Sequence, residues 1–202
     1  MELPRNSVWS VHDSDLIEDG LYRLLDVMLE VDSIVLYPLS DMSTTAKPIA
    51  TSLDGFIELT SNHQAKISQY ALPSYLLVDE DSVPETYIAK RDKNFELIKG
   101  LIVDREFLFD YATRQRSSYL TRHAKKVGTY SKALARLLSL YWRNGQEKMA
   151  LLPAFQEVEV QGYRKLQQPY HWEHQNNQEQ WLSIELRSIL SVMMTKTNSK
   201  KR

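Results

Sequence analysis

The 202-residue sequence predicts an α+β protein: a small β-rich N-terminal domain, then an all-helical helix-turn-helix domain and a C-terminal helix. Three observations carry this reading. Short apolar runs separated by turn residues fill positions 7–40. Leucines three and four apart flank a glycine between Tyr119 and Trp142. The charge also changes sign along the chain. Residues 1–85 hold four Lys or Arg against fifteen Asp or Glu, net −11; residues 86–166 hold sixteen against eight, net +8; residues 167–202 add +2. The overall charge of −1 therefore conceals an acidic module and a basic one. The expected division is a β-rich domain over 1–85, a helix-turn-helix domain over 86–155, a linker over 156–177, and a helix with a disordered tail over 178–202.

In chain order, Ser7 to Val11 alternates weakly. GLYRLLDVM (20–28) and DSIVLYPLS (32–40) are apolar runs on either side of the acidic turn Leu29–Asp32, and they suggest an antiparallel pair or a small barrel. Pro38 and 41–48 read as a loop. Ser52 or Asp54 suits the cap of a helical stretch through about Ala71, which Pro73 stops. Tyr75 to Val78 reads as an edge strand before the acidic turn 79–85. Phe95, Leu97, Ile98, Leu101 and Ile102 have helical spacing interrupted by Gly100. Phe107, Leu108 and Phe109 form an apolar cluster expected beneath the helix-turn-helix, and a helix is expected from about Asp110. Gly145 suits a helix C-terminus, and Pro153 ends any continuation.

The helix-turn-helix itself is read from YLTRHAKKVGTYSKALARLLSLYW (119–142). Leu120 to Val127 is a short amphipathic helix in which the small Ala124 admits a close crossing. Gly128 leaves it through a positive φ, which glycine adopts cheaply. A second helix from about Tyr130 carries Leu134, Leu137, Leu138 and Tyr141 as an apolar stripe. Its other face carries Ser131, Lys132, Ala135, Arg136, Ser139 and Arg143, small and basic residues of the kind that enter a major groove. Between Tyr111 and Lys148 there are nine Lys or Arg and one acid, Glu147. A solvated helical face ordinarily mixes both signs. The expected base-reading residues are Tyr130, Ser131, Lys132, Ala135 and Arg136. The expected phosphate contacts are Arg114, Arg116, Arg122, Lys125, Lys126 and Arg143.

Other chemistry finds little support. The absence of cysteine excludes disulfides, thiolate catalysis and Cys-ligated zinc, and fits a reducing compartment. The N-terminus is polar and acidic, and no apolar run approaches the roughly 20 residues that span a bilayer. Asp79, Glu80, Asp81 and Glu85 lie in one turn, whereas a two-metal site needs carboxylates convergent from separate elements. His171 and His174 lack further zinc ligands, and an exposed role is expected for His123. Six glycines form no phosphate loop. No cofactor or metal is expected, and no catalytic residue.

RDKNFELIKGLI (91–102), KKVGTYSKALARLLSLYWRNGQ (125–146) and MALLPAF (149–155) together resemble the N-terminal part of TnsB-type (TniA-like) transposases, of the Mu transposase and retroviral integrase superfamily. The family pattern is a Leu-x-x-Tyr-Trp-x-x-Gly-Gln box followed by Asn-Ala-Leu-Leu-Pro-x-Tyr. Here Leu138, Tyr141, Trp142, Gly145 and Gln146 are in place, Met149 stands where Asn is usual, Ala150 to Pro153 are intact, and Phe155 replaces Tyr. Of the family's Gly- and Lys-rich stretch after the proline only QGYRK (161–165) remains. Such transposases continue into an RNase H-like domain with an Asp-Asp-Glu triad, which has no counterpart before Arg202. The resemblance thus implies a non-enzymatic, sequence-specific binder of double-stranded DNA at transposon end repeats. It implies a bacterial, cytoplasmic and nucleoid-associated setting, with other transposition proteins as further partners. The alternative is a helix-turn-helix transcriptional regulator whose acidic N-terminal domain senses a ligand or partner, which requires a closed apolar pocket within residues 7–85.

Overall fold

The computed structural model describes residues 3–40, 43, 46–114 and 117–154. Residues 1–154 cluster as one compact unit. The expected linker at 156–177 and helix at 178–202 lie outside the described residues.

The N-terminal half is an open antiparallel sheet of five strands: β1 (Val8–Val11), β2 (Gly20–Met28), β3 (Ser33–Pro38), β4 (Ile49–Ser52) and β5 (Ala65–Ser68), in the order β4-β3-β2-β1-β5. One helix, α1 (Leu53–Ser61), lies between β4 and β5 in sequence. Four more follow: α2 (Glu85–Ile102), α3 (Arg105–Thr113), α4 (Ser118–Val127) and α5 (Ser131–Arg143). The mixed fold class agrees with the reading of the sequence.

The sheet is covered on both faces. β3 explains why: Ile34, Val35, Leu36 and Tyr37 are all fully buried, and alternate residues must point to opposite faces. Ile34 and Leu36, with Trp9, Val11, Tyr22 and Leu24, pack against Leu53, Phe56 and Leu59 of α1. Val35 and Tyr37, with Val8, Leu25 and Met28, pack instead against the helical bundle, through Phe107, Leu108, Tyr111, Leu134, Leu138 and Trp142. A bulge between Leu24 and Asp26 makes this possible, since Leu24 pairs with Leu36 and Asp26 with Val35. The extra residue, Leu25, resets the alternation, so that both Leu25 and Asp26 face the bundle. There Asp26 accepts from Arg105 at 2.8 Å, and Arg105 also donates to the Val27 carbonyl at 2.8 Å, fastening the start of α3 to β2. The change at residues 85–86 is thus one of secondary structure, while packing runs continuously through it.

At the centre of the joint the Tyr37 and Ser139 hydroxyls meet at 2.6 Å, buried. Tyr37 and Trp142 ring centroids lie 6.0 Å apart, Trp142 and Tyr111 5.9 Å, and Tyr111 and Phe107 5.4 Å. Burial, reinforced by Tyr37, pushes the Tyr111 phenol up to about 12. The end of α5 is held by Arg23, 5% exposed on β2, which donates to the Arg143 carbonyl at 3.1 Å and to the Asn6 side-chain oxygen at 2.9 Å. A cation there also complements the negative end of the helix dipole. Asn6 in turn donates to the Gly145 carbonyl at 2.9 Å.

Several local expectations are corrected. α1 is capped by Ser52, as one of the two expected candidates, but ends at Ser61, where left-handed His63 turns the chain into β5. β4 and β5 carry no alternation to reveal them: β4 is half-buried throughout and β5 exposes Lys66 and Ile67. Tyr75 belongs to a 3-10 turn, Ser74–Leu76, that buries Tyr75 and Leu76, so no edge strand forms there. The helix expected from Asp110 is α3, which starts at Arg105 behind the Asp104 cap, whose carboxylate accepts from the Phe107 N–H at 3.0 Å, and ends at Thr113. α2 runs unbroken through Gly100, which gives room to His123: a Cβ there would stand 3.2 Å from the His123 ring.

Two outcomes test this joint. Tyr37→Phe and Ser139→Ala each strand a buried hydroxyl partner and should cost about 1–2 kcal/mol, while the double variant should cost less than the sum in urea unfolding. A fragment of residues 86–154 would re-expose the Tyr111 and Trp142 faces, at about 1.5–3 kcal/mol for each large side chain. By circular dichroism it should lack the single cooperative transition expected of residues 1–154.

Candidate nucleic-acid interface

The turn between α4 and α5 has the expected form. Gly128 is left-handed at φ 70°, its N–H reaches the Ala124 carbonyl, and the Thr129 N–H reaches the same oxygen at 2.9 Å. Ser117 begins α4, its hydroxyl accepting from the Leu120 N–H while donating to Asp110 at 2.7 Å. Leu120 and Ala124 are buried, whereas Thr121, Arg122, Lys125 and Lys126 share the exposed face. α5 starts differently: Tyr130, 82% exposed, supplies no side-chain cap. The Ala133 N–H bonds the Tyr130 carbonyl at 3.0 Å, and no side chain caps the N–H groups ahead of it.

The buried side of α5 consists of Leu134, Ala135, Leu138, Ser139 and Trp142. Leu137 and Tyr141 are only half-buried, on one flank, with Tyr141 beside Phe95 at 6.4 Å. The core stripe is therefore rotated from the leucine pattern, because α5 packs on β2 and β3 as well as on α2 and α4. Two expected interface residues are corrected by this rotation. Ala135, 9% exposed, faces the core and presents nothing to a groove. Arg143 turns inward, donating to the Ser43 carbonyl at 2.9 Å and the Tyr37 hydroxyl at 3.4 Å. Lys132 and Arg136 are exposed, as is Tyr130, and Ser131 is half-exposed.

Ion pairing sorts the remaining basic residues. Arg91, 3% exposed, donates to Glu80 at 2.8 Å, to Asp92 at 2.7 Å and to the Met149 sulfur at 3.0 Å. It clamps the 3-10 turns Glu80–Ser82 and Lys148–Leu151 to α2. Its hydrogen bond holds the Glu80 carboxyl below the usual carboxylate range, so the acidic turn serves the fold here. Lys148 joins Asp92 at 2.9 Å. Arg114 pairs with Asp110 at 2.9 Å while remaining largely exposed. Arg116 lies outside the described residues. Among the described residues, Arg122, Lys125, Lys126, Lys132 and Arg136 have no carboxylate partner, and Arg122 stacks over the Tyr119 ring at 4.7 Å. His123 is turned away from this surface, its Nε2 2.9 Å from the Leu97 carbonyl.

Beside the open half of α5 lies a groove of about 990 Å³, lined by Leu97, Lys132, Ala133, Arg136, Leu137 and Leu152 among others. Sequence reasoning did not single out Ala133; the signal is its position one turn before Leu137 on the side opposite the core. Among the described residues no three His, Asp or Glu side chains gather as metal ligands, and no helix is long and apolar enough to cross a membrane.

The box that carries the family resemblance is structural. Leu138 and Trp142 are core, and Gly145 and Gln146 are both left-handed, at φ 104° and 58°. They turn the chain back so that the Gln146 N–H meets the Tyr141 carbonyl at 2.9 Å. No curated protein matches the chain. Residues 91–155 match the family model of the TnsB second domain. From Arg91 within α2 to Phe155, the chain is similar to the second domain of TnsB-type transposases, in agreement with the resemblance read from the sequence.

Proposed function

We propose that the chain binds double-stranded DNA sequence-specifically, at transposon end repeats, as a non-catalytic part of a transposase. The observation that carries this is the set of five exposed cations without carboxylate partners, on two consecutive helices inside the TnsB second-domain match. A solvated helical face ordinarily mixes both signs, and this one is cationic throughout. In this reading Tyr130, Ser131, Lys132 and Arg136 on the open half of α5 meet base edges. Arg136 has the reach to bridge O6 and N7 of a guanine. Arg122, Lys125 and Lys126 on α4, with Arg114 at the end of α3, meet phosphates. The acidic layer built on α1 faces away from the bundle and is left to protein partners of the transposition complex. The sensing-domain alternative is not favoured, because α1 and the bundle fill the two faces of the sheet with side chains.

Binding-site selection with the full chain tests the assignment. Arg136→Ala should relax preference at one base position, by about 1–3 kcal/mol, with little change in salt dependence. Lys125→Ala should weaken all sequences alike and lower the slope of log K against log salt by about one. Equal behaviour of the two variants would contradict the docking of α5. Arg143→Ala should instead lower the unfolding free energy, by about 0.5–1.5 kcal/mol, because it removes the hydrogen bonds to the Ser43 carbonyl and the Tyr37 hydroxyl. The salt slope of its folded fraction should match that of the unaltered protein.

A further inference from the structure

We infer that Ala133 is a specificity residue of α5, its methyl group meeting the C5-methyl of a thymine next to the base pair that Arg136 contacts. This rests on the DNA-binding reading above and adds to it a base and a residue.

The burial pattern sets the direction. With about 100° of rotation per residue, the covered side of α5 centres between Leu138 and Trp142, and the opposite direction falls on Ala133 and Leu140. Leu140 is half-buried, on a helix that packs against α2 and the Lys148–Leu151 turn. Ala133 is exposed, in the half that is open. It is therefore the centre of the accessible face, with Arg136 to one side and Leu137 to the other. Tyr130, Ala133 and Leu137 make an apolar strip along the groove, beside the cationic strip of Lys132 and Arg136.

Among the base edges of the major groove, the thymine methyl is the feature that an apolar strip can recognise. A lone Cβ at the centre of the face also lets the helix approach closely, where a longer side chain would hold it off. Ala133 and Arg136 are separated by about 4.5 Å along the axis, near the roughly 3.4 Å between successive bases. The two contacts thus fall on neighbouring steps.

The test uses the full chain and the site obtained by selection from random duplexes. Each thymine is replaced in turn by deoxyuridine, which removes the methyl group and keeps the pairing. Substitution at one position, adjacent to the one relaxed by Arg136→Ala, should weaken binding about fourfold, the value of one buried methyl group. Ala133→Gly should bind the thymine and deoxyuridine sites equally; the comparison is made within one variant, so any change in folding cancels. Ala133→Leu, at an exposed position and with a good helix former, should keep its melting temperature and lose site preference. Insensitivity to deoxyuridine throughout, discrimination retained in Ala133→Gly, or full site preference in Ala133→Leu would each overturn the inference while leaving DNA binding intact. Selection that returned no preferred sequence would overturn the DNA-binding reading itself.

Discussion

Tyr37 is the point at which the two halves of the molecule close on each other. Its ring packs, tilted, at the end of the series Trp142, Tyr111 and Phe107, and its hydroxyl meets Ser139 within the core. A buried hydroxyl is tolerated only when its partner is fixed, so this one contact sets the rotation of α5 about its own axis. Rotation in turn decides which residues are presented outward. With Ser139 committed to Tyr37, Ala135 and Trp142 must point inward and Lys132, Ala133 and Arg136 outward. The sheet therefore helps to set which residues α5 presents outward, although it contributes no side chain to that face. Arg23 and Asn6 complete the fastening from the other end of α5, through the Arg143 and Gly145 carbonyls.

Much of this was legible in the residues. Gly128 and the leucines of α5 identified the turn and its two helices, because a left-handed glycine and a 3.6-residue period are local signals. β2 and β3 were legible as apolar runs, the mark of strands buried on both faces. The direction of the α5 stripe was not legible. Leu137 and Tyr141 are apolar and correctly spaced, yet the core centres on Leu138 and Trp142 because a sheet distant in sequence packs against the Ser139 side. Ala135 and Arg143 were misplaced for the same reason. β4, β5 and the true start of α3 were missed where the pattern is weak or where a cap, Asp104, is the only signal.

Among the basic residues, the difference between fold and interface is one of partnership. Arg23, Arg91, Arg105 and Arg143 are engaged within the fold by carbonyls and carboxylates, Arg23 and Arg91 buried and Arg105 half-exposed. Their guanidinium groups appear in any count of the sequence but are committed to holding the fold. Met149, the residue that departs from the family pattern, receives one of these contacts, with a sulfur accepting from Arg91. The family box similarly owes its residues to the end of α5 and its return to the sheet, so its presence reports a way of mounting the helix.

The layering of the sheet between α1 and the bundle has a kinetic consequence. Asp13, Asp15, Glu18 and Asp19 lie on the exposed loop whose Ile17 packs with the α1 side, and Asp54 and Glu58 are exposed on α1 itself. The exposed cations of α4 and α5 belong to the opposite layer. Such a molecule is an electric dipole. A polyanion approaching the α1 side is repelled and one approaching the bundle is drawn in, so diffusional encounters are oriented before any contact forms. In the proposed DNA-binding reading, collisions with a duplex would start with the α4 and α5 face forward, and the acidic charge of the N-terminal half would work as a rudder for the basic half.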